Sequence, residues 1–98
     1  MGQGVGAGPG EARFEVEVKP SAFKEFEDLP EQLQDRFNAA FRRLAENPFR
    51  PRPGLDVRPL AGRGPIWRLR VGPFRALYEV QGRRVVITEI GPRSSAYR

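Results

Sequence analysis

The feature that most constrains this chain is a run of three β-rich segments toward its C-terminal end, "IWRLRV", "FRALYEV" and "RVVITEI", separated only by Gly72-Pro73 and by Gln81-Gly82-Arg83. Each segment is dominated by β-branched, aromatic and aliphatic residues, and connections this short join neighbouring antiparallel strands. The C-terminal half therefore reads as an antiparallel meander. Successive strand side chains point to opposite faces, so Trp67, Leu69 and Val71 share one face, and Phe74, Ala76, Tyr78 and Val80 join it across the turn. The same alternation places Arg68, Arg70, Arg75, Leu77 and Glu79 on the other face.

The segments before the meander supply what covers the apolar face. "RFEVEVK" alternates Phe14, Val16 and Val18 with Glu15 and Glu17, the period of a half-buried strand. "PSAFKEFEDLP" reads as a short helix starting at Pro20-Ser21, with Ala22, Phe23 and Phe26 as its apolar stripe. "PEQLQDRFNAAFRRLAENP" carries Leu33, Phe37, Phe41 and Leu44 at steps of three or four and stops at Asn47-Pro48, which predicts a second, longer helix. The stretch "FRPRPGLDVRP", rich in proline and arginine, reads as an exposed, stiff basic connection. The expected fold is α+β, with order β-α-α-β-β-β: a small antiparallel sheet, two helices packed on one face and the other face open. Residues 1–12, beginning "MGQGVGAGPG", read as a disordered Gly-rich tail, and residues 13–98 as a single domain.

Composition removes several chemistries. The chain has no Cys and no His, which excludes disulfides, thiolate or imidazole zinc sites and any triad that needs a histidine base. No apolar run approaches the roughly 20 residues that span a bilayer, and no charged segment precedes an apolar N-terminal core, so the expected location is cytoplasmic. The net charge of +5 is unevenly spread. Residues 11–48 hold nine acids against six bases, a balance of −3, whereas residues 49–98 hold three acids against eleven arginines, a balance of +8. Such a basic field draws phosphate backbones or an acidic protein partner.

Arg68, Arg70 and Arg75 are the sharpest expression of that field. Like charges held close on a rigid sheet repel, which suits the gripping of an anion with several oxygens better than it suits stability. Two plainer readings stand beside this one: the arginines are ordinary solvated surface, or they are neutralised by Glu15, Glu17, Glu79 and Glu89.

The stretches "PSAFKEFEDLPEQLQDRFNAAFRRLAENPF", "VRPLAGRGPIWRLRVGPFRALYEV" and "VVITEIGPRSSAYR" together resemble the RelE/ParE superfamily of type II toxins, RelE-like branch, across residues 13–98. The most specific pieces are "RLRVGPFRALYEV" and the glycine, arginine and tyrosine of "GPRSSAYR". RelE-type members are ribosome-dependent endoribonucleases that cut mRNA in the A site and repress translation, each neutralised by a cognate antitoxin wrapped around it. By position, the resemblance implies that Arg68 and Arg70 bind the mRNA backbone, that Arg75 and Arg93 stabilise the scissile phosphate, and that Tyr97 stacks on a base or assists proton transfer. The implied chemistry is attack of a 2′-OH on its own 3′-phosphate, with no metal or cofactor.

Two departures from the family pattern matter. Pro92 stands where many members have histidine, and the lysines, Lys19 and Lys24, lie before and within the first helix, away from the expected site. The general base is thus unassigned, with Tyr97 the first candidate and simple stacking its alternative. Two rival functions remain: inhibition of DNA gyrase in the manner of ParE-like members, and a non-catalytic module that docks an antitoxin or structured RNA. The joint presence of Arg75, Arg93 and Tyr97 favours the RelE branch. An apolar groove along the two helices and the edge of strand one would suit an antitoxin segment, while Arg50, Arg52, Arg58 and Arg63 are either contacts to ribosomal RNA or solvated loop charge.

Overall fold

The computed structural model describes residues 13–92. Its elements run β1 (Glu15–Val18), α1 (Pro20–Glu27), α2 (Glu31–Glu46), β2 (Asp56–Pro59), β3 (Trp67–Val71), β4 (Phe74–Gln81) and β5 (Arg84–Pro92). The five strands form one sheet in the order β1-β5-β4-β3-β2, with β1 parallel to β5 and every other pair antiparallel. The α+β fold, the two helices and the three-strand meander are as the sequence leads one to expect, but the expected four-stranded antiparallel sheet is instead a mixed sheet of five strands, because β1 runs parallel to β5 and β2 adds an edge strand.

The two helices bury one face each against the sheet. In α2, Phe37, Ala40, Phe41, Leu44 and Ala45 are buried, the stripe that steps of three and four produce. They meet Val16 of β1, Leu69 and Val71 of β3, Ala76 and Tyr78 of β4, and Val85, Ile87 and Ile90 of β5. Trp67, Phe74 and Val80 pack partly buried around that core, so the phase read from strand alternation holds. In α1 only Ala22 is buried; Phe26 packs against the core, but Phe23 stays 43% exposed instead of completing the stripe.

The basic connection before β3 is more ordered than its prolines suggest. Its turn, Arg52-Pro53-Gly54-Leu55, closes with reciprocal backbone hydrogen bonds between Arg52 and Leu55 of 3.1 and 2.7 Å. Proline at the second position and glycine with φ of 84° at the third are the chemistry of a type II turn. The chain leaving it forms β2, which pairs with β3 along the sheet's edge, and Leu55 and Val57 enter the core. Pro59 is tolerated because an edge strand can dispense with one ladder donor. The helix before this connection ends where Asn47 turns extended ahead of Pro48. Arg52 then folds back, donating from Nη2 to the Arg43 carbonyl at 2.8 Å and from Nη1 to the Asn47 carbonyl at 3.1 Å.

The second sheet face departs from expectation. Its centre is closed: Arg68, Arg75, Leu77 and Val86 are all buried. These residues sit on the inner strands β3, β4 and β5, where an arginine has neighbours on both sides and can lay its methylene stem over apolar surface.

Candidate nucleic-acid interface

Strand register decides which arginines meet. Arg58 of β2 lies opposite Arg68 of β3, which lies opposite Leu77 of β4. One step along, Asp56 lies opposite Arg70, which lies opposite Arg75. Arg58, Arg68, Arg70 and Arg75 therefore occupy one face of three adjacent strands. The hairpin between β3 and β4 fixes this register. Val71 pairs with Phe74 across a two-residue loop, and Gly72 takes a φ of 57° that a residue with a Cβ adopts only with strain.

The four guanidiniums are held differently. Arg58 is exposed, Arg70 half-exposed, and Arg68 and Arg75 each only 1% exposed. Burial draws the Arg68 guanidinium below the ordinary arginine range, opposed by the carboxylate of Asp56 and reinforced by Arg58 and Arg70. Arg68 donates from Nη2 to Asp56 Oδ1 at 3.2 Å, while its buried Nη1 has no hydrogen-bond partner among the described residues. Arg70 Nε lies 3.8 Å from Asp56 Oδ2. A single carboxylate thus faces two guanidiniums of the cluster, and that carboxylate is 54% exposed.

Asp56 is the neighbour of the arginine face that sequence reasoning missed. The acids that the plainer reading had neutralising the face were Glu15, Glu17, Glu79 and Glu89; of these, Glu17 pairs instead with Arg84 at 3.4 Å, at the opposite edge of the sheet from β2 and β3. Had β2 been recognised, alternation from Arg58 would have placed Asp56 on the arginine face.

The remaining site residues divide. Arg63 is exposed in the loop between β2 and β3, apart from the strand cluster. Arg52, expected as an RNA contact or a solvated charge, is not a freely solvated charge: it binds the C-terminal carbonyls of α2 and pairs with Glu46 at 3.5 Å. Arg93 and Tyr97 lie outside the described residues.

One hollow borders the site and another lies apart from it, against the helices. A cleft of about 730 Å³ between α2 and the β2–β3 edge is lined by Arg36, Arg43 and Arg52 and shares Asp56 and Arg70 with the arginine face. On the helical side, Val18, Pro20, Phe23, Phe26 and Phe41 line an apolar hollow of about 540 Å³. This is the groove expected along the helices and the edge of the first strand.

The chain was compared with known proteins. The sequence model of the ParE toxin of the type II toxin-antitoxin system, parDE, matches residues 16–97. Toxin RelE1 of Methanocaldococcus jannaschii is 32% identical over 88 residues, covering 88% of this chain and 97% of that protein. Among solved structures, the archaeal RelE-RelB complex from Pyrococcus horikoshii OT3 is similar with a TM-score of 0.67 and 29% identity, covering 83% of this chain and 96% of that one. A double mutant of the E. coli toxin RelE, solved in the free state, has a TM-score of 0.70 at 18% identity, covering 88% of each chain, and shares the fold.

Proposed function

This chain belongs to the ParE toxin family of type II toxin-antitoxin systems, within the RelE/ParE superfamily, and from that premise we propose that it is a ribosome-dependent mRNA endoribonuclease of the RelE branch. The observation that carries the reading is the arginine face, in which Arg68 is buried with Nη1 unpartnered among the described residues. An unused buried donor is costly, and a phosphate oxygen is the acceptor a planar guanidinium matches best.

In this reading Arg68 and Arg70 hold the RNA backbone and Arg75 faces the phosphate that reacts, with Arg93 as its second cation. The 2′-hydroxyl gives up its proton as its oxygen attacks the adjacent phosphorus, the bond to the 5′-oxygen breaks and that oxygen takes up a proton, so the products are a 2′,3′-cyclic phosphate and a 5′-hydroxyl. The charge gathered on the non-bridging oxygens is met by guanidiniums already in place, which need no reorganisation at the moment of reaction. Tyr97 is the group assigned to proton transfer or stacking. The steps call on no metal. Arg58 and Arg63, at the rim, contact RNA phosphates and add salt-dependent affinity.

The partner that silences the toxin is a cognate antitoxin. RelE of Pyrococcus horikoshii was solved with RelB, and the apolar hollow over Phe23 and Phe26 offers the apolar half of an amphipathic helix a place to lie.

The rival within the family is gyrase inhibition, which the ParE name of the matching family model keeps in view. Purified protein added to translating ribosomes on a defined mRNA, with 5′ ends mapped by primer extension, separates the two. Codon-phased cuts support the nuclease; absence of cuts together with inhibited DNA supercoiling supports the gyrase poison.

A further inference from the structure

We propose that Asp56 is an internal stand-in for an RNA phosphate: its carboxylate occupies Arg68 and Arg70 in the free toxin and must yield them before a phosphate can bind. The proposal rests on the nuclease reading only for its biological consequence.

Three observations carry it. First, the carboxylate contacts the very donors a phosphate would use, Arg68 Nη2 at 3.2 Å and Arg70 Nε at 3.8 Å. A carboxylate and a phosphate both present paired anionic oxygens to a guanidinium, so they compete for one geometry. Second, the two sides of the contact differ in freedom. Asp56 lies on the edge strand β2 with 54% of its side chain exposed, so it can swing into water, whereas Arg68 is buried on the inner strand β3 and stays put. Third, the longer of the two contacts is loose: Arg70 Nε, at 3.8 Å, makes no hydrogen bond to Asp56. The carboxylate neutralises the pair without saturating it, and an anion with more oxygens gains donors that Asp56 leaves unused.

The consequence is a threshold. Free RNA must displace Asp56 at its own bulk concentration, while an mRNA held beside the toxin by a ribosome acts at a far higher effective concentration. Asp56 would thereby keep the toxin from cutting RNA at large.

The test is binding of a 2′-O-methylated fluorescent oligoribonucleotide, which cannot be cut, to the full chain by anisotropy. Losing one internal competitor for charged donors should tighten binding of Asp56→Asn about tenfold. Glu17→Gln makes the same change in net charge at the Arg84 pair and should leave affinity near that of wild type. Equal tightening in both variants, or no tightening in Asp56→Asn, overturns the proposal. If Asp56→Asn does not fold, the wild type answers the question: saturating oligonucleotide should move the Asp56 carboxyl ¹³C resonance to a position typical of a solvated aspartate, and an unmoved resonance in the bound state overturns it. Should wild type bind more weakly than Asp56→Asn yet cut nothing on ribosomes, the nuclease reading falls and the competition stands.

Discussion

Asp56 Oδ1 sits 3.2 Å from Arg68 Nη2, so a half-exposed carboxylate on the edge strand pairs with a guanidinium buried on the strand beside it. The contact crosses from β2 to β3 on the side away from the helices, and it ties the sheet's most peripheral strand to its basic face.

The same contact has a cost when broken. Removing Asp56 leaves Arg68 charged, buried and without that acceptor, and the partial exposure of Asp56 tempers the loss. Asp56→Ala should lower unfolding free energy by about 1–2 kcal/mol in urea titration, against near zero for an exposed pair such as Glu17–Arg84.

Tyr78 makes a different prediction. Its hydroxyl is buried and donates to the Pro48 carbonyl at 2.7 Å, fastening the chain after α2 to β4. Tyr78→Phe should cost about 1–2 kcal/mol, because the carbonyl it leaves behind stays buried. Burial raises the phenol above its ordinary 10.0, against the opposing pull of Arg68 and Arg52. A group whose folded pKa is raised gives its full stabilisation below the unfolded value and loses it as pH rises. Stability should therefore decline above pH 10.0 in the wild type, and more shallowly in Tyr78→Phe, by denaturant melts across that range.

Arg52 and Arg63 should separate cleanly. Arg52 holds α2 carbonyls, so Arg52→Ala should cost about 1–2 kcal/mol of stability. Arg63 is exposed in a loop, so Arg63→Ala should leave stability within about 0.5 kcal/mol. On the RNA-binding reading it should also reduce the slope of log affinity against log salt by about one.

Gly72 carries the hairpin that sets Arg70 against Arg75. Its φ of 57° penalises any Cβ, and that Cβ would also stand 3.2 Å from Arg36 Nη1. Gly72→Ala should cost about 1–2 kcal/mol, read from thermal melts.

Strand and helix periodicity made most of this fold legible. The stripe of Phe37, Phe41 and Leu44 placed α2, and alternation through Trp67, Leu69 and Val71 set which way the meander faces. Edge strand β2 was hidden because it is four residues long and ends in proline, too short for its alternation to outweigh the prolines around it. Missing β2 meant missing Asp56, since a partner across an antiparallel pair is invisible until the pair is known. The closed centre of the second face was also out of reach, because alternation reports which side a residue points to and not how its long stem lies. Arg52 shows the limit from the other direction: composition marked it as a loop charge, and only the path of the chain makes it the binder of α2's last carbonyls.

The most direct test of the central claim is single-turnover cleavage of mRNA on a programmed ribosome by wild type and Arg75→Ala. If the buried arginines hold the reacting phosphate, wild type cuts within the A-site codon and Arg75→Ala is slower by about 100-fold or more, the scale seen when one preorganised charge donor is lost. Cleavage by Arg75→Ala at the wild-type rate, with the variant folded, would contradict the account.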